Sequence, residues 1–319
     1  MNFKMDRTPV QYVQLMGGLG NQLFQIAAGL YYAKDTGRKL VVDDSFGNFR
    51  KNHSGTADVL SYNSQVFSTV GNGVNKKSLI RKLFSILVRI SFGKKLSSIN
   101  LTLIKIIRLI LCIFLSLKLR KIVKFWSATN LGFEKVPNSN FSQYIFGYFQ
   151  TCRFASDEQV KDTLRNLSIS SDVISDYKQM ALLEKPLIVH VRLSDYYLES
   201  KFGVLSVDYY ESAIAIMIKK FSFRNIWVFS DEIEKAKLII PKSYLPLCRW
   251  IDDKNESSAE TLEKMRLGSG YIIGNSTFSW WGAFLSYEVN PPTIAPDPWF
   301  IGTEDPKDLI PSEWLLISR

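Results

Sequence analysis

The chain of 319 residues is 46% apolar with a net charge of +10, enough apolar material for one large core or two of ordinary domain size, which excludes a disordered chain. Cys112, Cys152 and Cys248 stand far apart, and there are only two histidines, which excludes a disulfide framework and a structural zinc site and points to a reducing compartment. The positive charge is local: thirteen Lys and Arg and no Asp or Glu lie between Lys76 and Phe125, so a charge surface spread over the whole molecule for nucleic acid is disfavoured.

The opening stretch MNFKMDRTPVQYVQL has no apolar run of signal-peptide length, which predicts a cytoplasmic protein. Val10–Met16 reads as a first strand, Gly17–Gln22 (GGLGNQ) as a glycine loop, and the run from Gln22 as a helix stopped at Gly37. Lys39–Asp44 follows as a second strand, completing a βαβ unit.

The basic stretch 76–125 predicts a helical insertion in the N-terminal half. Over Leu101–Leu117, twelve Leu, Ile and Phe residues gain roughly 0.5 kcal/mol each on membrane insertion, while Lys105 and Arg108 cost roughly 3 kcal/mol each, leaving no net drive to span. Lys105, Arg108, Cys112, Ser116 and Arg120 recur on one side of this helix. That pattern suits either a helix packed on the protein or one lying on an anionic membrane surface.

A further strand is expected in Ser142–Thr151. From Pro186 a second set of strands, PLIVHVR, NIWVFSD, YIIGNST and PPTIAP, alternates with helical segments around 207–220, 232–240 and 256–267. The pattern predicts an α/β protein of two Rossmann-like domains, 1–165 and 166–319.

Each chemistry-bearing motif falls at the C-terminal end of a strand, where loop amides and helix N-termini converge on ligands. In GGLGNQ, Gly18 and Gly20 would let backbone approach a ligand, while Asn21 and Gln22 offer amides suited to sugar hydroxyls; the competing reading is a tight turn with Asn21 as helix cap. Arg192 in HVRLSDYY can bind a phosphate bidentately, and His190 lies two residues earlier on the same side of its strand. The alternative there is an Arg192–Asp195 ion pair that merely fixes the loop. Ser230 and Asp231 in VFSDE are the weakest signal. Asn275, Ser276, Thr277 and Ser279, just before Trp280 and Trp281, form a neutral cradle for a pyrophosphate in preference to a simply capped helix.

Absences narrow the field. No Asp-x-Asp triplet occurs, so the usual carboxylate pair for a metal on a nucleotide-sugar diphosphate is missing, and no metal site is expected. There is no lysine-bearing phosphate loop, and Leu23 stands where a dinucleotide fingerprint needs its third glycine. A dehydrogenase and an NTPase are both disfavoured.

Taken in order, GGLGNQLFQIAAG, HVRLSDYY, VFSDE and NSTFSWWGAFLS resemble the bacterial-type α-1,2-fucosyltransferase family over nearly the whole chain. The resemblance implies a GT-B-like pair of domains facing a cleft. It implies inverting, metal-independent transfer of fucose from GDP-fucose to the 2-hydroxyl of a galactose, with no other cofactor; the leading expectation is a glycan or polysaccharide precursor as acceptor, free or lipid-linked, at the inner membrane face, where the basic segment Lys76 to Lys124 would hold the enzyme. Carried over residue by residue, Arg192 would hold the diphosphate and His190 would lie near the guanosine. Asn275, Ser276, Thr277 and Ser279 would face the phosphates, Gly18, Gly20, Asn21 and Gln22 would line the acceptor side, and Glu260 would accept from guanine. Asp195 is the candidate base, although a neighbouring guanidinium lowers a carboxylate's basicity and favours a structural role equally. The chain departs from the family's usual HxRRGDY in carrying Leu193 and Ser194. The alternatives are a fucosyltransferase of other linkage or acceptor, and a non-catalytic basic protein bound to a membrane surface.

Overall fold

The computed structural model describes residues 8–44, 58–62, 65–70, 101–119, 121–169, 172–194, 203–252 and 256–319. These form two compact units, one of residues 1–57 and 64–163, the other of 58–63 and 164–319. Each contains an all-parallel sheet, the arrangement expected when strands alternate with helices along the chain.

In the first unit, β1 (Val10–Gln14) leads into α1 (Leu19–Lys34) and β2 (Lys39–Asp43), followed by β3 (Phe67–Thr69), α2 (Leu101–Leu119), β4 (Val123–Ser127) and β5 (Ser142–Phe146). The strand order is β3-β2-β1-β5-β4. The order reverses at β1, so the glycine loop after β1 lies beside β5, the position at which open α/β sheets bind ligands. Two short helices, α3 (Cys152–Ala155) and α4 (Glu158–Arg165), follow. Phe154 of α3 is fully buried and meets Tyr31 and Tyr32 of α1 edge-on.

The basic stretch differs from its expectation. Its described helix ends at Leu119, and Val123–Ser127 is a strand paired in parallel with β5, so the C-terminal end of the expected insertion is part of the sheet. Alternation decides this: Val123, Phe125 and Ser127 are buried, while Lys124 is exposed between them. Residues 71–100 lie outside the described residues. The polar side of α2 also points inward. Arg108 donates to the Ser127 carbonyl, the Cys112 sulfur accepts from the Phe125 N–H, and the Ser116 hydroxyl accepts from the Val123 N–H. Ile107, Leu111 and Leu115 complete the buried side.

The second unit runs α5 (Asp172–Glu184), β6 (Leu187–Val191), α6 (Val207–Phe221), β7 (Ile226–Ser230), α7 (Ile233–Ile239), β8 (Cys248–Ile251), α8 (Ser258–Met265), β9 (Gly270–Ile272), α9 (Thr277–Phe284), β10 (Thr293–Asp297) and β11 (Leu315–Ser318). Its sheet order, β11-β10-β9-β6-β7-β8, is that of two mononucleotide-binding halves meeting between β6 and β9. Residues of β6, β7 and α6, among them Leu187, Val189, Tyr209, Ile214, Met217 and Val228, make one apolar core. β8, unread in the sequence, hides because its four residues carry little alternation.

The segment 58–63 also belongs to this unit. Val59 is fully buried, and the Tyr62 hydroxyl sits beside the buried pair of Glu263 and Arg266. The sequence reading left this segment in the N-terminal half.

Candidate active site

The crossover between β6 and β9 collects the site residues. Register pairing sets Val189 against Ile272 and His190 against Phe229, so the ends of β9, β6 and β7 emerge side by side, carrying Gly274–Ser276, His190–Ser194 and Asp231. The backbone here is pinned from α6: the Tyr209 hydroxyl donates to the Ile273 carbonyl at 2.7 Å and the Tyr210 hydroxyl to the His190 carbonyl at 3.0 Å.

Asp231 organises the turn after β6. Its carboxylate accepts from the Leu193 N–H at 3.0 Å, from the Ser194 N–H at 3.1 Å and from the Ser194 hydroxyl, and pairs with an Arg192 guanidinium nitrogen at 3.3 Å. Burial pushes the carboxyl up, but the Arg192 charge and the bonds from Ser194 and Leu193 outweigh it and hold it below its ordinary value. The carboxylate is therefore charged at neutral pH and keeps Arg192 at the strand end. Asp231 was the weakest sequence signal and becomes the hub here; Asp195, the other carboxylate considered for Arg192, lies outside the described residues. The motif position gave the only hint, a strand ending in Ser-Asp beside the strand that ends in His-x-Arg.

His190 is buried, and its Nδ1 has no hydrogen-bond partner. Burial first, and then the nearby Arg192 charge, push the imidazole down to about 4, with Asp231 opposing. It is neutral at pH 7, a hydrogen-bonding group without a charge. Gly274 makes this approach possible: a Cβ there would lie 3.2 Å from the His190 carbonyl oxygen and 3.5 Å from Nδ1.

The polar run before α9 divides in two. Asn275 is buried and its amide donates to the Trp299 carbonyl, while the Ser279 hydroxyl donates to the carbonyls of Ser276 and Gly274. Ser276 caps the helix by accepting from the Phe278 N–H. These three side chains shape the loop, and Thr277, half-buried, opens α9 with its helix N-terminus at the end of β9. The positive end of a helix suits an anion there.

Glu260 sits in a capping box, its carboxylate accepting from the Ser257 N–H and hydroxyl. That gives the residue a local structural role.

In the first unit, Gly17 has φ +71° and Gly18 is the N-cap of α1 without a side-chain cap. Gln22 is buried and donates to the Gly17 carbonyl at 2.8 Å, and Gln25 accepts from the Met16 N–H. Gln22 therefore locks the loop from beneath, where the sequence reading placed it facing an acceptor. The loop's accessible elements are the backbone of Gly17 and Gly18 and the half-buried Asn21, whose side-chain oxygen accepts from Gln150; Gly20 is buried.

Residues 10–299 match the family described as glycosyl transferase family 11. The chain belongs to glycosyl transferase family 11. It is an enzyme that transfers sugars. It is 28% identical over 320 residues to the O-antigen biosynthesis glycosyltransferase WbnK of Escherichia coli, covering 95% of this chain and 99% of that protein. It is 26% identical over 330 residues to an alpha-1,2-colitosyltransferase of Escherichia coli, covering 96% and 98%. Among solved structures, NodZ alpha-1,6-fucosyltransferase soaked with GDP-fucose superimposes with a TM-score of 0.50 at 15% identity, covering 90% of this chain and 94% of that one, a likeness of fold. For this family 11 member, the fold likeness and the parallel sheets agree on an α/β architecture.

Proposed function

We propose that this glycosyltransferase moves fucose from GDP-fucose to the 2-hydroxyl of a galactose in a glycan or polysaccharide precursor, with inversion and without a metal. The observation that carries the reading is the strand-end cradle of the second unit, where Arg192 is held by Asp231 beside a buried His190 whose Nδ1 lacks a partner. The names of the two curated relatives, an O-antigen glycosyltransferase and an alpha-1,2-colitosyltransferase, support the precursor class and the 1,2-linkage.

In this mechanism the acceptor oxygen attacks the anomeric carbon from the face opposite the diphosphate. The bond from that carbon to the β-phosphate oxygen breaks, and its electron pair leaves with GDP. Arg192 and the N-terminus of α9 stabilise the charge growing on the leaving diphosphate, a role that a fixed cation and helix dipole fill without reorganisation. The absence of an Asp-x-Asp triplet supports assigning this charge to protein groups. His190, neutral, lies near the guanosine without adding charge there. Thr277 contributes at the phosphates, and Asn275, Ser276 and Ser279 hold that loop in shape. Gly18 and Asn21 form the acceptor side, with Gly20 and Gln22 beneath them. Asp195 takes the acceptor proton as general base.

Calorimetric titration with GDP, in Mg²⁺ and in chelator, on the wild type and Arg192→Ala tests the donor site, followed by transfer to a galactoside with linkage read by NMR. Metal-independent binding lost in Arg192→Ala is expected; no binding, or binding only with Mg²⁺, overturns the donor assignment. A second reading, colitose as the transferred sugar, is favoured by the 26% relative, and faster turnover with GDP-colitose than with GDP-fucose would select it.

A further inference from the structure

Helix α2 is turned the unusual way round. Its polar residues Arg108, Cys112 and Ser116 bond to the backbone of β4, while Leu103, Ile106, Leu109, Ile110, Ile113 and Leu117 stand between 44% and 75% exposed on the opposite side. A helix that only needed to cover the sheet would bury this side. The six residues recur at helical spacing and form one stripe. Together they expose roughly 600 Å² of aliphatic surface, the upper end of what a soluble monomer shows.

We propose that this stripe docks the enzyme in the plane of an anionic membrane, α2 lying on the lipid with its aliphatic side in the headgroup–acyl boundary. Three observations select lipid. All charged residues from 101 to 125, namely Lys105, Arg108, Lys118, Arg120, Lys121 and Lys124, are cationic, and Lys105 of α2 is exposed, which complements anionic headgroups. A second copy of α2 would meet these cations with more of the same charge, and the area falls short of the ~800 Å² per partner of a standard interface. Among the described residues no helix is long and apolar enough to cross a membrane, so the stripe rests on the bilayer.

The inference stands apart from the identity of the donor. Flotation of the full chain with phosphatidylcholine vesicles, with and without phosphatidylglycerol, tests it on the wild type and on Ile110→Glu/Ile113→Glu. GDP binding and thermal melting confirm that the variant is folded. Expected is association with the anionic vesicles, weakened by salt and reduced about tenfold or more in the variant, at unchanged GDP binding. The proposal is overturned if the wild type stays with the soluble fraction at low salt, or if the variant floats equally well. It is also overturned if the variant instead converts a dimer to a monomer by light scattering, which assigns the stripe to a second copy. Loss of thermal stability in the variant, with no vesicle binding by the wild type, assigns the stripe to the chain's own residues and overturns it too.

Discussion

Replacing Asp231 by alanine removes the acceptor of four donors at once: the Leu193 and Ser194 N–H groups, the Ser194 hydroxyl and the Arg192 guanidinium. The costs are unequal. Ser194 is exposed and regains water, and the Arg192 pair is partly solvated, so each of these costs about 1 kcal/mol or less. Leu193 is fully buried, and its N–H loses a charged acceptor in a place water reaches poorly, at about 1–3 kcal/mol. The total, about 3 kcal/mol, lowers Tm by roughly 6–12 °C for a unit of about 150–250 residues. Losing this partner of Arg192 also weakens the preorganisation of the proposed diphosphate site, which should lower GDP affinity by about tenfold. Asp231→Asn separates the two effects: one amide oxygen still serves Leu193, but an NH₂ then faces Arg192 and Ser194, so stability is partly restored while GDP affinity is not. Differential scanning calorimetry and GDP titration on both variants are the assay. A Tm within about 1 °C of wild type together with a GDP affinity within about twofold in Asp231→Ala would refute Asp231 as the organiser of this turn.

Arg192→Ala should abolish measurable GDP binding, and Arg192→Lys should restore it only in part, because an ammonium lacks the planar fork; titration calorimetry reads both. His190 has its pKa depressed to about 4, so between the ordinary value near 6.5 and that value the unfolded chain binds a proton the folded chain refuses. Stability should fall as pH drops through this window, by up to about 3 kcal/mol, and melting curves of His190→Gln should lose that part of the slope. Gly274→Ala forces the His190 carbonyl back by a few tenths of an ångström and should weaken GDP more than it lowers Tm. Gly17→Ala must hold φ +71° and meets the Asn21 side-chain nitrogen at 2.7 Å. It should cost about 1–2 kcal/mol or more in thermal unfolding, whereas Gly18→Ala, whose Cβ meets open space, should be near neutral.

The sequence by itself determined the elements around the site. Apolar β-branched runs such as LIVHV and IWVFS, with helices between them, dictate buried parallel strands, since a strand covered on both faces has no polar side. Period and punctuation also placed α1 and its stop, the helix around 207–220, and the motifs at strand ends. Only the tertiary structure decided which partners those residues take. That Arg192 takes a carboxylate from the end of the neighbouring strand depends on strand order, and β7 lies beside β6. Gln22 and Ser279 carry the polar chemistry of ligand-facing residues, yet the turns fold back so that their own carbonyls are the nearest acceptors. The direction of α2 was equally hidden: a helix with one polar and one aliphatic side can face either way in sequence. The inward choice follows from β4, whose backbone accepts from Arg108 and donates to Cys112 and Ser116, leaving the aliphatic side outward. Periodicity fixes what a residue's own helix or strand does with it, while long-range pairing fixes whether its polar atoms are used inside the protein or remain for a ligand.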